Sequence, residues 1–125
     1  MTLPVFLAVA VAGGVGAGVR LLLDEAISLR SRGEVPWATV IINVSGSLVL
    51  GVLTGLAVGQ LLPESWHLVI GSGFLGGFTT FSTASFETVR LLQEHRWKAG
   101  VLHGLGMLLA ATCAAGIGLW LGALW

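Results

Sequence analysis

The sequence predicts an all-α integral membrane protein with four transmembrane helices, the third of them broken near its middle. Three observations predict this class. Hydrophobic residues make up 55% of the 125-residue chain and the mean hydropathy is +0.94, far too apolar for a water-soluble domain of this length. Four uncharged stretches, Leu3 to Val19, Trp37 to Leu62, Ser65 to Phe86 and Ala99 to Trp125, each approach or exceed the ~20 residues that a helix needs to cross ~30 Å of hydrocarbon. Inside the third stretch, Gly76-Gly77-Phe78-Thr79-Thr80 joins two glycines to two β-branched threonines, all poor helix formers. A helix broken at bilayer depth must turn its freed N–H and C=O groups toward protein, water or an ion, so this segment is where function is expected.

Taken in order, the spans are expected over residues 3–23, 36–62, 65–90 and 98–125, forming one membrane domain. The first ends in the glycine-rich run Gly13-Gly14-Val15-Gly16-Ala17-Gly18-Val19-Arg20. Arg20 either snorkels to the interface or provides a fixed positive charge at an anion vestibule. In the second, Thr39, Asn43 and Ser47 follow each other at one-turn spacing and share a helix face. Asn43 there is either an interhelical hydrogen bonder or part of a donor row lining a pathway.

After the expected break, Ser82 and Ser85 lie three residues apart and face one way, and Phe78 and Phe81 are likewise three apart. A phenylalanine is ordinarily core or lipid-facing. Beside a helix break and a hydroxyl row, its electropositive ring edge can also face an anion without the full charge of Arg or Lys. Glu87 ends the segment, either solvated at the interface or part of the site. In the fourth span Cys113 reads as a small packing residue. His67 and His103 lie near span ends with no second ligand at metal spacing.

Residues outside the hydrocarbon are placed consistently with four spans. Trp37, Trp66, Trp97, Trp120 and Trp125 fall at or near span ends, where an indole prefers to lie. All six basic residues, Arg20, Arg30, Arg32, Arg90, Arg96 and Lys98, fall at the end of span 1, in the loop after it, or between spans 3 and 4. The positive-inside rule then places the charged loops 24–35 and 87–98 in the cytoplasm and both termini outside, in a multi-pass protein of the cell inner membrane. No cleavable signal peptide is expected, because the first span starts almost at Met1 without a basic leader. Of the nineteen glycines, the pairs Gly14/Gly18, Gly51/Gly55/Gly59, Gly73/Gly77, Gly100/Gly104 and Gly118/Gly122 have the small-xxx-small spacing that lets helix backbones approach closely, which favours an oligomer. No nucleophile with a partnered base, phosphate loop or carboxylate pair is present, so catalysis has no candidate residues.

Three motifs stand in register: the run from Gly13 to Arg20; Asn43-Val44-Ser45-Gly46-Ser47 followed by Gly51; and Gly73-Phe74-Leu75-Gly76-Gly77-Phe78-Thr79-Thr80-Phe81-Ser82-Thr83. Together they resemble the Fluc (CrcB-type) fluoride channels across all four spans. The resemblance implies an antiparallel, dual-topology-type dimer with two narrow fluoride pores and one structural sodium ion (Na+) between the subunits. It implies that the carbonyls of Gly76 and Thr79 bind that sodium, with the same pair from the second subunit completing four oxygens. It likens Phe81 to a pore phenylalanine, Asn43 to a pore donor, and Thr39, Ser82, Thr83 and Ser85 to a polar track. Arg20 resembles the vestibule arginine and Glu87 the acidic residue closing the motif.

Two positions depart from that pattern. Ala84 stands where a second pore phenylalanine is usual, and the fourth helix offers His103, Met107 and Ala111, with Thr112 the nearest hydroxyl, where the family often has a tyrosine and spaced hydroxyls. The one-sided basic residues argue for a single orientation, so the expected partner is an oppositely inserted homologous subunit or, failing that, a second copy. The expected function is passive export of fluoride from the cytoplasm. Two other classes are a coupled exporter, which would need an intramembrane carboxylate where this sequence is expected to have none between span ends, and a partner subunit without transport of its own.

Overall fold

A computed structural model describes residues 1–31 and 35–125 of the chain; Arg32, one of the six basic residues, lies outside the described residues. Helices α1 (Leu3–Arg30) and α2 (Trp37–Val58) come first, α1 with a proline in its opening turn, where a missing N–H costs nothing. Next comes α3 (residues 64–78), built from Glu64–Trp66, a widened π-helical stretch His67–Leu75, and Gly76–Phe78. The widening is visible at Gly76, whose amide reaches the carbonyl of Gly71, five residues back. Helices α4 (Phe81–Gln93) and α5 (Trp97–Ala123) complete the chain, and among the described residues there is no strand.

Helices α1, α2 and α5 are each long and apolar enough to cross a membrane. The bent pair α3–α4 makes up the fourth membrane element. Helix α1 runs to Arg30, and α4 to Gln93. Residues 24–30 and 87–93, read from sequence as charged loops, are therefore the ends of long helices. Turns at Gln60 (φ 59°) and His95 (φ 58°) stop α2 and α4; in each, the amide of the residue after the turn folds back onto the helix, Leu61 N to Leu56 O and Arg96 N to Leu91 O, both at 2.9 Å.

The break is narrower than the expected Gly76 to Thr80. Gly76–Phe78 is still helical, and only Thr79 (φ −80°, ψ 160°) and Thr80 (φ −148°, ψ 120°) are extended. Branching at Cβ favours the extended backbone of the threonines. Gly77 has a different task, since an added Cβ there would overlap the carbonyl of Gly13 on α1. One consequence is that Phe78 and Phe81 do not share a face. Phe78 is buried with Ile42 and Leu75 and stacks on Phe74, ring centroids 6.0 Å apart, whereas Phe81 is 87% exposed.

Small-residue packing sets the helix arrangement, because lipid supplies no hydrophobic drive between helices and close backbone contact must do so. Gly51 and Gly55 of α2 face Gly118 and Gly122 of α5; a Cβ at Gly55 would sit 2.5 Å from the Leu119 carbonyl. Gly73 and Gly77 of α3 meet α1, where Gly16 lies against the carbonyl of Phe74. Gly100 and Gly104 seat Leu92 and Thr88 of α4. Gly14 and Gly18 depart from the expectation, with nothing within 4 Å of an added Cβ. Cys113, read as a packing residue, is exposed on α5.

Candidate functional site

Hydrogen bonding at the break follows from the backbone groups it frees. In an unbroken helix the amides of Thr80, Phe81 and Thr83 would bond to the carbonyls of Gly76, Gly77 and Thr79. Here Thr80 N donates instead to Asn43 Oδ1 at 2.8 Å, and Asn43 Nδ2 returns a bond to Thr80 O at 2.8 Å. Thr83 N donates to Thr80 Oγ1 at 3.2 Å, which makes Thr80 the N-cap of α4. The Gly77 carbonyl accepts from Arg20 Nε at 3.2 Å. The amides that would have covered Gly76 O and Thr79 O are thus turned elsewhere; these two carbonyls are the pair that the family resemblance implies. Thr79's own amide and hydroxyl both bond Leu75 O at 2.9 Å.

Polar side chains of α2, α4 and α5 meet in levels one helical turn apart. At one level Asn43 joins Thr80 to Met107, whose sulfur accepts from Nδ2 at 3.3 Å. One turn toward the α4–α5 connection, Glu87 Oε1 accepts from Thr39 Oγ1 at 2.8 Å and Oε2 lies 3.0 Å from His103 Nε2. Thr39 and His103 are buried, and the Glu87 side chain is only 14% exposed. Glu87 is therefore folded into the bundle between three helices, and the solvated alternative does not hold. Its level is fixed by α4 running antiparallel to α2 and α5, so that Thr39, Glu87 and His103 coincide.

An open groove of about 710 Å3 lies beside these levels, between α2, α3, α4 and α5. Asn43, Ser47, Thr79, Thr80 and Ser85 give it a polar side, and Phe81 stands at its wall with its ring almost wholly exposed. Gly76 also lines it, and nothing lies within 4 Å of an added Cβ there. Met107 and Ala111 of α5 face the same groove, as does Ala84.

The sequence-selected residues thus fall into four places. Asn43, Phe81, Ser85, Gly76 and Thr79 share the groove. Thr39 and Glu87 sit in the buried cluster behind it, Thr83 takes a 3.1 Å bond from the Thr80 hydroxyl, and Ser82 lies exposed, 3.3 Å from Thr80 Oγ1. Arg20 is held on the other side of the break, at Gly77. Thr112, the nearest hydroxyl on the last helix, bonds its own helix at Leu108 O. Met107 and His103 as partners of Asn43 and Glu87 were missed. The signal was present in the equal spacing of Thr39/Asn43 and His103/Met107, which lets two parallel helices pair at successive turns.

Known proteins bear on the same chain. Residues 7–119 match the family described as CrcB-like protein, Camphor Resistance (CrcB). A relative from Leifsonia xyli subsp. xyli named fluoride-specific ion channel FluC 1 is 53% identical over 124 residues, covering 99% of this chain and 90% of its own. FluC 2 of Cutibacterium acnes is 47% identical over 115 residues, 91% of this chain and 94% of its own, and FluC 3 of Bifidobacterium longum 40% over 117 residues, 90% and 97%. Matched over nearly its whole length by a family profile and by these relatives, the chain belongs to the CrcB-like family.

Proposed function

We propose that this chain is a subunit of a passive, fluoride-selective ion channel that lets fluoride leave the cytoplasm down its electrochemical gradient. Membership in a family whose relatives are named fluoride-specific ion channels supports the reading. The observation that carries it is Phe81, 87% exposed on a groove that Thr79, Thr80 and Ser85 also line, at a backbone break where the Thr80 amide and carbonyl are both paired with Asn43. Ring edges and hydroxyls coordinate an anion weakly and without charge, which lets it leave as readily as it enters.

The groove of about 710 Å3 is far too wide for one small anion. A second subunit seated antiparallel on it would narrow it to two symmetry-related pores. In that assembly the freed carbonyls of Gly76 and Thr79 suit a structural sodium ion, because they are hard, uncharged oxygens without their helical donors. Two per subunit give four around a two-fold axis. The sodium would act as a cross-link between the two breaks. Arg20, anchored on Gly77, supplies positive charge on the side of the basic helix ends, which the positive-inside rule assigns to the cytoplasm. A reporter fused at the C-terminus is expected on the outer side alone; equal signal on both sides would mean dual insertion and a homodimer.

Coupled export is the competing class, and the buried Glu87 is the carboxylate it would use. Fluoride release from liposomes at equal pH on both sides separates the two. A channel releases fluoride on its gradient alone, and Phe81→Ile is expected to abolish that release with helix content unchanged. Unimpaired release by Phe81→Ile would remove the ring from the pathway, and release that requires a pH gradient would replace the channel by an exporter.

A further inference from the structure

One hydrogen of the Asn43 amide has a weak partner. Thr80 N donates to Asn43 Oδ1 at 2.8 Å, which allows the amide a single orientation and sets Nδ2 beside Thr80 O, again at 2.8 Å. The second hydrogen of Nδ2 is therefore committed to the Met107 sulfur, at 3.3 Å. A thioether is a weak acceptor, whereas an anion is a strong one. Asn43 and Met107 both line the groove of about 710 Å3, so this hydrogen and its cap stand at the wall of an open space.

The cap can move and the donor cannot. Methionine is unbranched and turns about three side-chain bonds, so it repacks at small cost. Ala84 of α4 and Ala111, one turn further along α5, line the same groove with single methyl groups, which leaves room for the thioether once it comes off the amide. Asn43 is held from both sides by the Thr80 main chain. A stronger acceptor entering the groove can thus take the second hydrogen without disturbing either bond that satisfies the break.

We propose that the Met107 thioether is a competing acceptor, which covers the second N–H of Asn43 when no ion is present and swings off it when fluoride binds. The proposal rests on the fluoride-channel reading above, and adds to it that Met107 sets how tightly the ion is held. Each arriving ion must break the N–H···S contact, so its apparent affinity is lowered in proportion to the fraction of time the donor is uncovered. When the ion leaves, the sulfur returns and no donor is left bare. Weak holding and ready departure are what conduction requires. Because every anion meets the same cost, Met107 tunes affinity and leaves the preference among anions to other groups.

Asn43 is the sole asparagine of the chain and Met107 one of its two methionines, so selective isotope labelling yields one side-chain amide and two methyl signals. The test follows these signals by NMR in micelles, with the oppositely inserted subunit where one is required, as sodium fluoride replaces sodium chloride at constant ionic strength. In the unmodified protein the Asn43 amide and the Met107 methyl are expected to shift along one curve, with Met1 unmoved. Met107→Leu removes the acceptor at nearly constant volume. Its amide is expected to respond at a fluoride concentration at least about threefold lower. An unchanged or weakened fluoride response in Met107→Leu would overturn the proposal, and so would a Met107 methyl that stays in place while the amide shifts in the unmodified protein. Fluoride efflux from liposomes keeps the two readings apart. Efflux from a protein whose Asn43 amide ignores fluoride would overturn this proposal alone, whereas neither efflux nor an amide response would overturn the channel reading and this proposal with it.

Discussion

Replacing Asn43 by alanine removes both partners of the Thr80 main chain at once. Its amide accepts from Thr80 N and donates to Thr80 O, each at 2.8 Å, and its remaining N–H goes to the Met107 sulfur at 3.3 Å. An unmatched buried N–H or C=O costs about 1–3 kcal/mol, and Thr80 is only partly buried beside an open groove, so water recovers part of the loss. We expect a net local cost of about 2 kcal/mol, which corresponds to a roughly thirtyfold change in an opening equilibrium. Hydrogen exchange measured by mass spectrometry on peptides spanning the break reads that equilibrium directly. The Thr80 amide should exchange about thirtyfold faster in Asn43→Ala, while amides in the middle of α5 stay unchanged. Asn43→Asp keeps an acceptor for Thr80 N and should accelerate exchange less. Exchange at Thr80 within about twofold of the unmodified protein would refute the assignment of Asn43 as the staple of the break.

The neighbouring glycines should separate sharply. A Cβ at Gly77 would overlap the Gly13 carbonyl, so Gly77→Ala is expected to destabilise the fold by about 1–3 kcal/mol or more in a denaturation experiment. At Gly76 nothing lies within 4 Å, so Gly76→Leu should leave the fold of the subunit intact and weaken subunit association, read by cross-linking in liposomes. Equal damage to folding at both positions would mean that Gly76 does not face a partner. Thr80→Ala removes the N-cap of α4 and should lower stability by about 1 kcal/mol, with Thr80→Ser restoring most of it. No difference between alanine and serine there would exclude the cap.

How much of this was legible in the sequence depended on whether local chemistry or tertiary pairing decided each feature. The spans are read from uncharged length, and the break from threonine branching, both local. Asn43 stands out because an amide at mid-span needs a partner, but that the partner is a main chain 37 residues away follows only from the packing of α2 against α4. Glu87 illustrates the opposite error. Its position at the end of an apolar run suggests solvent, but α4 continues for another turn and a half to Gln93, which keeps Glu87 inside the bundle. Phe78 and Phe81 were paired by a helical period that the extended threonines interrupt. Gly14 and Gly18 carry the same spacing as Gly73 and Gly77, and spacing alone cannot tell which face meets a neighbour within the subunit. His103 and Met107 look like departures when each is read alone, and become partners only once the two helices are set in register.

In the proposed channel, the break held by Asn43, with Phe81 exposed beside it, lines a pathway for fluoride. Its most direct test is anion release from liposomes containing this protein, with an oppositely inserted homologous subunit where one is required, loaded in parallel with fluoride or chloride at equal pH on both sides. Fluoride is expected to be released and chloride retained. Release of both anions at similar rates, or of neither, would contradict it.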